Sequence, residues 1–311
     1  MIERLRPDVV VNDILTIAPA LAADLAGVPR VTLIPHLYPV TGRGLPIFAL
    51  GLRAPRTPVG KALWHGVTPL LEAGLRHGRN EWNEQRHQLG LAPVERLHGG
   101  LSERLTLVAT FPQLEYPRAW PDSVHLTGPM PFEVPHPDVE LPPGDDPLIL
   151  VAPSTSQDPH NRLVRSALAG LADLPVRVMA TTNRVVPSHP VPVPANAALV
   201  DWLSYSQTLP RAALVISHGG HGTIARCLDA GVPVLVSPVA GDMGETAARI
   251  GWAGVGRSVP WRLCGPRSLR WAVQEILAEP GYRAQAARVA TWSAANPGAE
   301  RGAELIEQAI G

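Results

Sequence analysis

The apolar run Leu214-Val215-Ile216 stops at His218-Gly219-Gly220-His221-Gly222-Thr223, and a helical stretch with Ile224 and Leu228 four apart follows at once. Gly231 and Pro233 end that helix, and Val234 to Val236 reads as the next strand. Strand, glycine turn, helix and strand joined this tightly belong to a parallel α/β sheet. Without Cβ atoms at three positions of the turn, an anionic group can approach the backbone. The helix N-terminus behind the turn offers N–H groups and a partial positive charge. The His218 imidazole and the Thr223 hydroxyl add side-chain donors, so the stretch reads as a diphosphate cradle.

The same alternation recurs along the chain. Asp8 to Val11, Arg30 to Ile34, Arg104 to Ala109 and Val124 to Leu126 read as strands of a first part. A helix from about Ile17 to Ala26 ends at Gly27 and Pro29, and a longer one from about Lys61 to Leu89 carries Pro69 as a kink. Pro35 to Pro58 reads as a long loop, and loops of that length in compact domains are usually functional or mobile. Farther on, Leu148 to Ala152, Val176 to Ala180, Leu199 to Val200, Leu214 to Ile216 and Val234 to Val236 alternate with helical segments. That is a doubly wound parallel sheet, whose ligand is expected beyond the carboxyl ends of its strands. Ser154-Thr155-Ser156, His218 to Thr223 and Ala240-Gly241-Asp242 all fall there. The seven prolines from Pro129 to Pro147 and the lack of periodicity predict an interdomain linker. The expected organisation is therefore a domain over residues 1–128, a linker over 129–147 and a second domain over 148–311.

Composition removes several classes of function. The 27 basic and 27 acidic residues cancel, which argues against a nucleic-acid binder. Lys61 is the only lysine, so no P-loop exists and no other residue can form a Schiff base. No G-x-S-x-G elbow occurs. His218 and His221 are three apart but have no third ligand at helical or hairpin spacing, so no metal is expected. Cys227 and Cys264 lack C-x-x-C spacing, which fits a reducing cytoplasm. No apolar run approaches the roughly 18 residues of a membrane span, and Met1-Ile2-Glu3-Arg4 leads into no signal-peptide core.

Taken together, H-G-G-H-G-T, the G-V-P at Gly231-Val232-Pro233, and a proline followed by Asp242 resemble the nucleotide-sugar site of the family 1 glycosyltransferases, of the GT-B superfamily. The likeness is nearest to bacterial macrolide-type members. It extends through Pro147 to Ser156, through Asp201-Trp202-Leu203-Ser204-Tyr205 where the family has W-x-P-Q, through Gly254-Val255-Gly256, and more weakly through Arg6 to Asp13. The resemblance implies two Rossmann-like domains, an acceptor-binding one that is incomplete and a donor-binding one. The implied reaction is inverting transfer of a sugar from UDP or dTDP to a hydroxyl of a small apolar acceptor, without metal or cofactor.

Site residues follow from the same resemblance. It implies diphosphate contacts from His218, Gly219, Gly220, Gly222 and Thr223, with Ser154 and Thr155 assisting. The nucleobase falls to Trp202, Leu203 and Tyr205, and the sugar to Gly241, Asp242, Met243 and Glu245. The plainer readings are a core anchor for Trp202 and an acidic helix start for Asp242 and Glu245. Met243 stands where many relatives have glutamine. A thioether packs well but barely hydrogen-bonds, which predicts a preference for deoxysugars. Asp13 matches an aspartate that orients a catalytic histidine, and that histidine's turn has no counterpart ahead of Arg6. The expectation is nucleotide binding through residues 148–311 with poor transfer, so a catalytically incompetent binding or auxiliary protein stays open as the alternative.

Overall fold

A computed structural model describes residues 2–98, 100–134, 136 and 139–311. Pro135, Pro137 and Asp138 of the proline-rich linker lie outside the described residues, as do Met1 and Gly99. The chain packs into two compact units, one formed by Met1–Phe48, Ala54–Met130 and Asn296–Gly311, the other by Ala49–Arg53 and Pro131–Ala295.

The first unit holds a parallel sheet of four strands, β1 (Val10–Asp13), β2 (Arg30–Ile34), β3 (Leu105–Val108) and β4 (Val124–Leu126), in that spatial order. Helices α1 (Ile2–Leu5), α2 (Ile17–Ala26) and α3 (Pro58–Gln88) belong to it. Gly27 closes α2 at φ +65° by donating its N–H to the carbonyls of Ala23 and Asp24. Thr57 opens α3 by accepting the N–H of Gly60, and Pro69 sits within this 31-residue helix. Asp24 ties three elements together, pairing with Arg30 Nε at 2.9 Å and with Arg86 Nη1 at 2.5 Å. Residues 35–57 form no helix or strand, as the proline and glycine content predicts.

β1 differs from the strand expected over Asp8 to Val11. It runs two residues later because Val10 pairs with Arg30 and Asp13 with Leu33. Arg6, at φ +46°, and Pro7 interrupt the chain just before it. Val11 is 45% exposed, and among the described residues β1 is an edge strand paired with β2.

The second unit holds six parallel strands in the order β10-β9-β8-β5-β6-β7. In sequence these are β5 (Leu148–Ala152), β6 (Arg177–Thr181), β7 (Ala197–Val200), β8 (Ala212–Ser217), β9 (Val234–Val236) and β10 (Gly256–Ser258). Helices α4 (Arg162–Leu171), α5 (Tyr205–Thr208), α6 (His221–Asp229), α7 (Met243–Ala253), α8 (Pro266–Ala278) and α9 (Pro280–Ala294) accompany them. The last helix, α10 (Gly298–Ile310), packs instead on β3 in the first unit. One core joins Ile149 and Val151 of β5, Ile216 of β8, Leu163 and Leu168 of α4, and Leu269 and Val273 of α8. Each such side chain contributes about 1.5 to 3 kcal/mol of burial. The strand order reverses beside β5, where Ala152 pairs with Ser217 of β8. The loops leaving β5 and β8 therefore emerge side by side at the switch point.

Candidate functional site

The turn after β8 is built for close approach. Gly219 has φ +96°, and a Cβ there would lie 2.7 Å from Val236 Cγ1 and 3.3 Å from the Met243 oxygen. Its N–H donates to Ser217 Oγ at 3.2 Å. Gly220 is the N-cap of α6, and a Cβ on it would lie 2.5 Å from His218 Nε2. Gly219 is required by packing and by its dihedral angle alike, whereas Gly220, at φ −61°, leaves room for the His218 ring beside it. Gly222 and Thr223 fall in the first turn of α6, where amide donors concentrate.

His218 is held from several sides. Its Nδ1 lies 3.3 Å from the carbonyl oxygen of Ala152, the last residue of β5. Burial pushes the imidazole below the usual histidine range, opposed by that carbonyl and by the carboxylates of Asp158 and Asp242. The structure thus brings His218 and Asp242 together from different strand ends. It adds Asp158, which the sequence reading did not single out. Asp158 also accepts the N–H groups of Arg162 at 2.8 Å and Leu163 at 3.0 Å, opening α4. The only sequence signal for it was an acidic residue just ahead of a helix.

The remaining diphosphate candidates differ in what they offer. The Ser154 hydroxyl is buried and accepts N–H groups from Ser156 and Gln157, so it shapes its own turn. Thr155 is exposed at the tip. The Thr223 hydroxyl shares a hydrogen bond with Tyr205, whose phenol burial pushes well above its usual range.

At the end of β7, the guanidinium of Arg184 lies 4.7 Å over the half-buried Trp202 ring. The ring of His136 stands 6.5 Å from the indole, tilted by 48°. Asn183 and Arg184 both adopt positive φ, 50° and 63°. Asn183 Nδ2 anchors that turn by donating to the Pro153 carbonyl at 2.6 Å. Leu203 is buried in the core. Tyr205 and Ser206 donate their backbone N–H groups to Glu133 at 2.6 and 2.9 Å. Burial raises the Glu133 carboxyl, but those donors and the Ser206 and Ser204 hydroxyls outweigh it and leave the group below the usual range. Arg226 of α6 stacks over the Tyr205 ring at 5.8 Å. Glu133 and Arg226 had no signal in the sequence, since each acts only through a partner far along the chain.

At the sugar corner, Gly241 has φ +60° and is exposed, and Asp242 precedes α7 without capping it through its side chain. Met243 is half-buried. Glu245 is 1% exposed, and its Oε1 accepts from Arg249 Nε at 2.8 Å, so its carboxylate is turned into the protein. Asp13, in the first unit, accepts the N–H of Leu15 at 2.7 Å and shapes the turn after β1. Among the described residues, no group of three or more His, Cys, Asp or Glu side chains could hold a metal ion. No helix among them is long and apolar enough to cross a membrane.

Comparison with known proteins finds relatives of the whole fold. The family described as "Erythromycin biosynthesis protein CIII-like, C-terminal domain" matches residues 165–308. A curated relative, 4'-demethylrebeccamycin synthase of Lentzea aerocolonigenes, is 28% identical over 322 residues, covering 99% of this chain and 75% of that protein. The structure of CalG4, the calicheamicin glycosyltransferase, superposes with a TM-score of 0.77 at 23% identity, covering 99% of this chain and 75% of the other. That of the glycosyltransferase VinC in complex with dTDP gives 0.69 at 23% identity, with 99% and 73% covered. Over nearly its whole length the chain is similar to glycosyltransferases that act in natural-product pathways, and its fold is GT-B.

Proposed function

We propose that the protein binds a nucleoside-diphosphate sugar on its second unit and moves the sugar, with inversion, to a hydroxyl of a small apolar acceptor such as a polyketide. The observation that carries this reading is the turn from His218 to Thr223, where the half-buried His218 imidazole, a glycine N-cap and the head of α6 converge. Negative charge grows on the departing diphosphate, and preorganised donors at such a position are commonly worth about 3 kcal/mol each in the transition state. His218, the amides near Gly220 and Gly222, and Thr223 take that role, with Ser154 holding the neighbouring turn. No metal is required by this scheme, because backbone and side-chain donors neutralise the leaving group.

Trp202 presents the stacking surface for the pyrimidine, and Asp242 the carboxylate for sugar hydroxyls. Glu245, turned inward against Arg249, supports the corner and does not touch the sugar. VinC was solved with dTDP, which favours a thymidine donor here as well. Asp13 is assigned, by the family resemblance alone, the orienting of a histidine base that this sequence does not supply.

Calorimetry with UDP and dTDP, followed by mass-spectrometric screening of several nucleotide sugars against polyketide and flavonoid acceptors, tests the proposal. Micromolar binding with turnover is expected if transfer is intact. Binding without any turnover would support the auxiliary-protein reading, and no binding would overturn the donor site.

A further inference from the structure

We propose that residues 49–53 position the sugar corner, setting which sugar the donor site accepts; the proposal rests on the donor-site reading above. Five residues, Ala49–Arg53, pack as part of the second unit. Gly51 has φ +66°, and a Cβ on it would stand 3.0 Å from the carbonyl oxygen of Gly244 in the first turn of α7. Two backbones therefore meet there without side chains between them. One face of α7 is shaped to receive the segment: Gly244, Ala248 and Gly251 follow at spacings of four and three, which places them along a single stripe. At Gly251 the Arg53 guanidinium lies over the bare backbone, in the space a Cβ would take.

The opposite side of this turn is held just as closely. The approach of Gly219 to the Met243 oxygen brings the turn after β8 against the first residue of α7. Met243 and Gly244 are thus gripped between the glycine turn on one side and Gly51 on the other. Asp242, immediately before them, spends no side-chain hydrogen bond on capping α7. Its carboxylate is aimed by where that first turn sits, and segment 49–53 is one of the two walls that decide it. A sequence reading had no access to this: residues 49–53 lie in a long loop almost two hundred positions from α7.

Gly51→Ala and Arg53→Ala separate this role from general support. Replacing Gly51 imposes a left-handed conformation on alanine and forces the Gly244 backbone to give by a few tenths of an ångström. A shift of a full ångström at a reacting site can cost about a hundredfold, so about tenfold is expected here. Calorimetry on parent and variants with dTDP, UDP and their glucose and deoxyhexose esters should show nucleoside-diphosphate affinity unchanged. Nucleotide-sugar affinity should fall about tenfold in Gly51→Ala. Arg53→Ala removes only an exposed side chain, keeps the fold, and should likewise lower nucleotide-sugar affinity, unequally for the glucose and deoxyhexose esters, with nucleoside-diphosphate affinity unchanged. Equal losses for diphosphate and nucleotide sugar, or no loss for either, would overturn the proposal. Failure of the parent protein to bind any nucleoside diphosphate is a different result, which removes the donor-site reading and the proposal together.

Discussion

His218 directs Nδ1 at the Ala152 carbonyl oxygen, 3.3 Å away, and leans its Nε2 edge over Gly220. A carbonyl only accepts, so the neutral ring carries its single proton on Nδ1 and presents a bare Nε2 to the turn.

A diphosphate oxygen arriving at Nε2 needs a donor there, so binding should draw in a proton. Burial holds the free imidazole below the ordinary histidine value, and the bound diphosphate raises it. Below the free value the ring is already charged and affinity is flat. Between the free and bound values, affinity should fall by about tenfold per pH unit as pH rises. Calorimetry in buffers of different ionisation enthalpy should register uptake of about one proton. His218→Ala should abolish the uptake and weaken UDP and dTDP binding by about 1.5 to 3 kcal/mol. Equal nucleotide affinity in parent and variant would refute the assignment.

Trp202→Ala should weaken nucleotide binding by about 1 to 3 kcal/mol, the usual worth of base stacking on an aromatic ring. Arg184 covers the ring at 4.7 Å and keeps it in place for a base on its other face. Loss of thermal stability without separable loss of nucleotide affinity would make the tryptophan a core anchor.

Tyr205→Phe removes the hydroxyl that meets Thr223. Without that bond the Thr223 hydroxyl loses the partner that orients it, so the variant should lose about 0.5 to 1.5 kcal/mol of diphosphate affinity. Discrimination between uracil and thymine should stay as it is. A change in base preference instead would return Tyr205 to the nucleobase.

Met243→Gln restores an amide beside Asp242 and should shift turnover toward glucose and away from deoxysugars. Competition assays with mixed donors measure the ratio directly. A parent protein that already prefers UDP-glucose to every deoxysugar would defeat the argument from the thioether.

Glu245 and Arg249 form an almost wholly buried pair at 2.8 Å. Arg249→Met should destabilise the protein by about 3 to 5 kcal/mol, because it strands a buried carboxylate. Denaturant titration reads this loss. Glu245→Gln should lower stability while leaving sugar selectivity intact, and altered selectivity in a stable variant would place Glu245 at the sugar after all.

Where local spacing carried the information, the chain could be read directly. β2, β4, β5, β9 and α2 fall where apolar runs and glycine or proline stops predict them. β10 could not be read this way. Gly256-Arg257-Ser258 has no apolar pattern, and it becomes a strand because it pairs with β9, where a Cβ at Gly256 would run into the Val234 backbone. The twin left-handed residues Asn183 and Arg184 were equally hidden, since their anchor is the carbonyl of Pro153, just past the end of β5.

The sequence by itself determined the local frame of the proposed anion cradle: an apolar strand, the glycines Gly219 and Gly220 and the head of a short helix form a backbone geometry that depends only on neighbours in the chain. Tertiary structure decided what surrounds it. Burial set the protonation of His218, because desolvation depends on every element packed around the ring and leaves no trace in local spacing. Packing likewise turned Glu245 inward, drew Tyr205 to Thr223, and laid Gly51 against Gly244. Each of these contacts joins residues whose proximity arises only when the sheet and its helices close around a common core.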